Sequence, residues 1–113
     1  MNIKILEYIG DRATDMQQGD QIYNLIVSGF QKKEEVVVDF DGLTTILSTF
    51  LNNAIGTLYK DYDSKFLNEN LKIKNLCDDD MFILRRVIKR AKEFYSNENI
   101  VTEAIDSVIK SGE

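Results

Sequence analysis

The sequence predicts a small α/β domain with a mixed, mostly parallel sheet and helices packed on it. Three observations carry that reading. Val36-Val37-Val38 is an uninterrupted apolar run, too hydrophobic for a sheet with one wet face and typical of a central parallel strand. Segments of β-type composition alternate with segments whose apolar residues recur every three or four positions, the order of βαβ units. No proline, repeat or low-complexity tract divides the 113 residues, so residues 1–113 read as a single domain.

Taken in order, residues 2–9 form the first expected strand. Ile3, Ile5 and Ile9 share one parity and Leu6 and Tyr8 the other, before Gly10-Asp11 breaks the run. Residues 19–30 carry Ile22, Leu25, Ile26 and Phe30 at helical spacing. Asp20 suits the start of that helix, and Gly29 its end. The apolar strand spans 35–40. A helix is expected over 48–60, with Leu47, Leu51, Ala54, Ile55 and Leu58 facing inward. A polar loop through Asp61, Asp63, Asn68 and Asn70 leads to an alternating third or edge strand at 71–74. Parallel pairing implies a right-handed crossover between Val36 and Ile73. Met81, Leu84, Val87, Ile88, Ala91, Phe94 and Tyr95 trace the next helical stripe, with Asp78, Asp79 and Asp80 at its favoured negative start. A break at Ser96-Asn97-Glu98-Asn99 precedes a final helix carrying Ile100, Ala104, Ile105, Val108 and Ile109. That helix either covers the sheet of its own chain or pairs with a second copy in a homodimer.

With 43% hydrophobic residues, a chain this long buries roughly two thirds of its unfolded surface and needs no metal or disulfide to fold. The lone Cys77 has no internal partner, which fits a reducing cytoplasm. No basic-then-apolar leader and no apolar run of about 18 residues is present. A soluble cytoplasmic protein without membrane attachment is the expectation. The net charge of −5 argues against nucleic acid or anionic lipid, whose binding depends on Lys and Arg at phosphates. The sequence has no histidine, hence no usual general base near neutral pH and no middle member of a nucleophile triad. No glycine-rich phosphate loop occurs either. Hydrolytic, metal-dependent and cofactor-dependent functions are therefore disfavoured, and no cofactor or metal site is expected.

One stretch is more specific. Val36-Val37-Val38-Asp39-Phe40, then Asp41-Gly42-Leu43, then Ser48-Thr49-Phe50-Leu51 with Gly56 further along, resembles the core of the STAS domains, the anti-sigma-factor antagonist family. It is still more similar to their STAS-like relatives. In that family a hydrophobic strand leads through a short acidic-Gly-apolar segment to a Ser-Ser or Ser-Thr pair opening a helix. The resemblance implies a small single-domain STAS-like α/β fold. It also implies a regulatory module that docks a protein partner, an ATP-binding kinase-like protein, around the helix starting at Ser48. The serine matching Ser48 is phosphorylated in the antagonists. Ser48 is thus the implied switch, with Asp41, Thr45, Thr49, Asn52 and Asn53 completing the implied docking surface. The antagonists carry an aspartate directly before that serine, where this chain has Leu47.

Each residue also has a plainer reading. Ser48 at a helix start is accounted for by capping alone, worth roughly 1 kcal/mol over Ala. As a switch, a phosphate there would add about −1.5 to −2 charge beside free backbone N–H groups. Asn52 and Asn53 read as partner contacts or as solvated positions. Asp39, Asp41, Asp61 and Asp63 lack the one-three-five spacing of a calcium loop. Arg85, Arg86, Lys89, Arg90 and Lys92 could meet an acidic protein, a nucleotide phosphate or RNA, or form a solvated face. Tyr59, Tyr62, Phe94 and Tyr95 read as core or rim, Cys77 as a buried filler, and Arg12 as a surface ion-pair former. The expectation is a non-catalytic regulatory module. The rival is a small phage or mobile-element inhibitor that masks a host factor by protein contact.

Overall fold

The computed structural model describes the backbone of residues 1–111 and the side chains of residues 1–96. Three strands, β1 (Asn2–Lys4), β3 (Val36–Asp39) and β5 (Leu71–Lys74), form a parallel sheet in the order β1-β3-β5. The Val36 run is therefore the central strand. Ile3, Val38 and Ile73 share one register row, and Lys4, Asp39 and Lys74 the next. Val36 and Val38 are fully buried and Val37 is half-buried, as expected of a strand covered on both faces. Two short segments, β2 (Arg12–Ala13) and β4 (Thr45–Ile46), pair in parallel as a separate ribbon.

The helices are α1 (Ile5–Ile9), α2 (Met16–Gln31), α3 (Ser48–Leu51), α4 (Leu58–Asp61), α5 (Ser64–Asn70) and α6 (Asp78–Ser111). A π-helical turn, Asn52–Gly56, joins α3 to α4. Residues 48–61 thus run nearly as one helix, where a helix over 48–60 was expected. The core gathers Ile3, Ile5, Ile22, Ile26, Phe50 and Ile55 between the sheet and the helices. At one end Phe30, Tyr62 and Phe66 pack ring against ring, with centroids 5.0 to 5.1 Å apart.

Several boundaries differ from the sequence expectation. The first strand stops at Lys4, and residues 5–9 turn into α1. β-Rich composition describes a fit to a pleated surface more than a backbone rule, and here Ile5 reaches the core from a helix. Leu6 in α1 lies over Gly42, whose φ of +84° forms the turn after β3. α2 begins at Met16 because Asp15 and Gln18 make a reciprocal capping box: Gln18 N donates to Asp15 Oδ1 at 2.8 Å, and Asp15 N to Gln18 Oε1 at 3.1 Å. Gly29 lies inside α2 rather than at its end. It lets the helix lie close against the sheet, since a Cβ there would sit 2.5 Å from Val36 Cγ2. The polar segment at 61–70 contains α5, capped by Asp63, whose Oδ1 accepts from Phe66 N at 2.8 Å. α6 is continuous through Ser96–Asn99, where a break was expected. The apolar stripe expected from Ile100 to Ile109 lies outside the residues whose side chains are described.

Among the described residues no helix is long and apolar enough to cross a membrane.

Candidate functional site

The entry to the 48–61 helix is fixed from the end of β3. Asp39 is 7% exposed, and its Oδ1 accepts hydrogen bonds from Asn75 Nδ2 at 2.8 Å and from Asp41 N at 2.9 Å. Those two donors, with Lys74 and Lys4 nearby, hold the Asp39 carboxyl below the usual range against the opposing effect of burial. The carboxylate thereby ties the turn after β3 to the chain after β5. Thr44 Oγ1 then donates to Asp11, 3.1 Å from Oδ2. β4 pairs with β2, and Leu47 N donates to Ala13 O at 2.9 Å.

Leu47, not Ser48, occupies the capping position. Its backbone is extended (φ −108°, ψ 153°), and no side chain caps the helix. The capping account of Ser48 therefore does not hold. An extended residue directs its side chain away from the stripe that follows, so Leu47 is 47% exposed instead of facing inward. Burial begins with Phe50 and Leu51. Ser48 is exposed at the first helical position, and its hydroxyl has no hydrogen-bond partner among the described residues.

Two helices clamp residues 48–61. On one side α2 approaches through Gly19, where a Cβ would lie 2.7 Å from Phe50 O and from Asn53 Cβ. Asn53 Nδ2 donates to Asp20 Oδ1 at 2.9 Å and reaches Met16 O at 3.4 Å. Asn53 thus holds α2 and is not simply solvated. On the other side α6 packs against the π turn, with Gly56 facing Val87 and Ala91. The widened turn, closed by Thr57 N donating to Asn52 O at 3.0 Å, leaves Ala54, Ile55 and Gly56 buried in succession. That serves a helix covered on both flanks.

Where α6 and the helix diverge towards solvent, a groove remains. Its first part, about 270 Å³, has Ile46, Ile83 and Val87 in its lining, Leu47 and Ser48 on one bank and Arg86 and Arg90 on the other. Its second part, about 310 Å³, continues past Arg90 between Asn52, Gly56 and Thr57 on one side and Ala91 and Phe94 on the other. Phe82, Arg86, Arg90 and Phe94 fall at four-residue intervals and so share one ridge of α6. Phe82 is 60% and Phe94 63% exposed. The Arg86 guanidinium lies over the Phe82 ring, 5.9 Å from its centroid, while Arg90 meets no carboxylate of the described residues.

Of the expected docking residues, the structure brings Ser48, Asn52 and Asn53 to this groove. Thr49 is exposed beside it, and Asp41 and Thr45 belong to the segment that leads in. Sequence reasoning missed the α6 bank. It placed Phe94 in the core or its rim, and it treated the arginines as separate from the Ser48 helix. The i, i+4 spacing of Phe82, Arg86, Arg90 and Phe94 was the available signal. Cys77, expected as a buried filler, is exposed, with its Sγ donating to Asp80 Oδ2 at 3.1 Å.

The fold and the groove together define a small parallel α/β domain that presents a serine at the exposed start of the helix after its central strand. The chain belongs to the family described as STAS-like domain of unknown function (DUF4325), whose model matches residues 18–81. The match takes in most of α2, the central strand, the Ser48 helix and β5, and ends before the α6 residues that form the other bank of the groove. No curated protein and no solved structure matches the chain.

Proposed function

We propose that this chain is a non-catalytic regulatory module of the anti-sigma-antagonist kind, which docks a protein partner around the Ser48 helix. An ATP-binding kinase-like protein is the partner class, and Ser48 is the switch. The observation that carries the reading is Ser48 itself: an exposed hydroxyl with no partner among the described residues, on the bank of a groove. Its surroundings suit docking, because Leu47 offers exposed apolar area beside it and α2 and α6 hold the helix from both sides. A rigid, preorganised surface loses little entropy on binding.

Phosphorylation would place about two negative charges on the bank opposite Arg86 and Arg90. Pairing with those guanidiniums would fill the groove, so the modified form is the released state. The module works in the cytoplasm.

The test is capture of native partners by the wild-type chain and by its Ser48→Ala and Ser48→Asp forms, with identification by mass spectrometry. A partner held by wild type and Ser48→Ala but lost from Ser48→Asp supports the switch. Equal retention by all three removes Ser48 from the mechanism.

A further inference from the structure

We propose that the groove between residues 48–57 and α6 takes an acidic, apolar peptide segment of the partner, with Arg86 and Arg90 pairing its carboxylates. This rests on the docking reading and adds the chemistry of what is docked. The groove offers two things at once. Ile46, Leu47, Ile83, Val87 and Ala91 give apolar area for side chains. Two guanidiniums stand over it, and among the described residues no carboxylate lines either part.

Charge complementarity thus selects an acidic occupant. Arg is the side chain suited to that task, since its planar fork meets a carboxylate with two parallel hydrogen bonds. The Arg86 guanidinium is already oriented by the Phe82 ring, so less freedom is lost when it pairs.

The ridge from Phe82 to Phe94 spans twelve residues of helix, about 18 Å. That length matches three turns of a helical segment or five to six residues of an extended one. Phe82 and Phe94 at its ends are the exposed aromatic anchors that interface cores favour.

Nucleic acid fits less well. Two arginines above an apolar floor neutralise few phosphates, and Asp78, Asp79 and Asp80 stand one turn before Phe82. The same aspartates set a polarity, with the acidic residues of the segment towards Arg90 and away from the start of α6.

The experiment is selection of phage-displayed random 12-residue peptides on the full-length protein, followed by fluorescence anisotropy with a synthesised enriched peptide. Enriched sequences are expected to combine two or more Asp or Glu with Leu, Ile or Phe. The peptide should lose at least tenfold in affinity against Arg86→Glu/Arg90→Glu, and as much when its own carboxylates are replaced by amides. Both arginines are exposed, so the double variant should melt with the wild type. Arg86→Ala/Arg90→Ala, with a smaller loss expected, replaces it if it does not.

Absence of acidic enrichment, or an affinity unchanged by charge reversal, overturns the proposal. Tighter binding of oligouridine or of phosphatidylglycerol vesicles than of the peptide, with the same arginine dependence, also overturns it. The two readings fail separately. Loss of native-partner capture in Ser48→Asp without arginine dependence leaves the docking surface but removes its acidic occupant. Arginine-dependent peptide binding that ignores Ser48 keeps the groove and removes the switch.

Discussion

Replacing Gly19 by alanine probes the packing that holds the Ser48 helix in place. The added Cβ would stand 2.7 Å from Phe50 O and from Asn53 Cβ, and 3.2 Å from Ala54 N, well short of the 3.4 Å at which ordinary contact begins. Two of those atoms are backbone of the facing helix, so no side-chain rotation relieves the clash and α2 must move outward. Overpacking of this kind costs about 1 to 3 kcal/mol, and a clash against backbone belongs at the upper end. Alanine returns about 1 kcal/mol through its helix propensity. The net loss is therefore about 2 kcal/mol. For a domain of this size that lowers Tm by on the order of 10 °C.

The assay is thermal and urea unfolding followed by circular dichroism, with Gly56→Ala as the matched control. At Gly56 the nearest atoms are Val87 Cγ1 at 3.4 Å and Ala91 Cβ at 3.7 Å. The helix propensity gain then prevails, and stability should stay level or rise by up to about 1 kcal/mol. A Gly19→Ala protein as stable as wild type would refute the close approach of α2 to the Ser48 helix.

Other perturbations separate the remaining elements. Asp15→Ala should cost about 1 kcal/mol in urea unfolding because it removes a working capping box. Ser48→Ala should stay within about 0.5 kcal/mol, since that hydroxyl caps nothing. For Asp39 the folded-state pKa lies below the unfolded value, so its carboxylate stabilises the fold above roughly pH 3.9. That contribution is lost as pH falls through the folded pKa. The stability gap between wild type and Asp39→Asn, full at pH 7, should close on acidification below about pH 4, as read by unfolding midpoints along a pH series. Phe30→Ala should cost about 3 to 5 kcal/mol by emptying the aromatic cluster with Tyr62 and Phe66. Phe94→Ser, on an exposed ridge, should leave Tm within the range of an ordinary surface change.

The sequence alone determined the frame. The Val36 run could only be a strand covered on both faces, the stripes through Ile22 and Leu51 could only be helices on a sheet, and 71–74 alternated as an edge strand must. Periodicity is a local consequence of which face meets water, so it is written in the residues themselves. The STAS-like likeness was legible for the same reason, in the short run from Val36 to Gly56. Local pattern also held the capping box of α2 and the ridge of α6, although neither was read from it.

Tertiary structure decided what depends on two segments meeting. Ile5 leaves the first strand because the core accepts it from α1. Leu47 turns outward because its extended backbone, tied to Ala13, sets where the helix begins. Ser48 shares a groove with Arg86 and Arg90 only because α6 crosses the helix at Gly56, 31 residues before Val87 in the chain. No window of sequence contains both banks of that groove. Its chemistry arises from a helix crossing, which packing selects and local pattern does not encode.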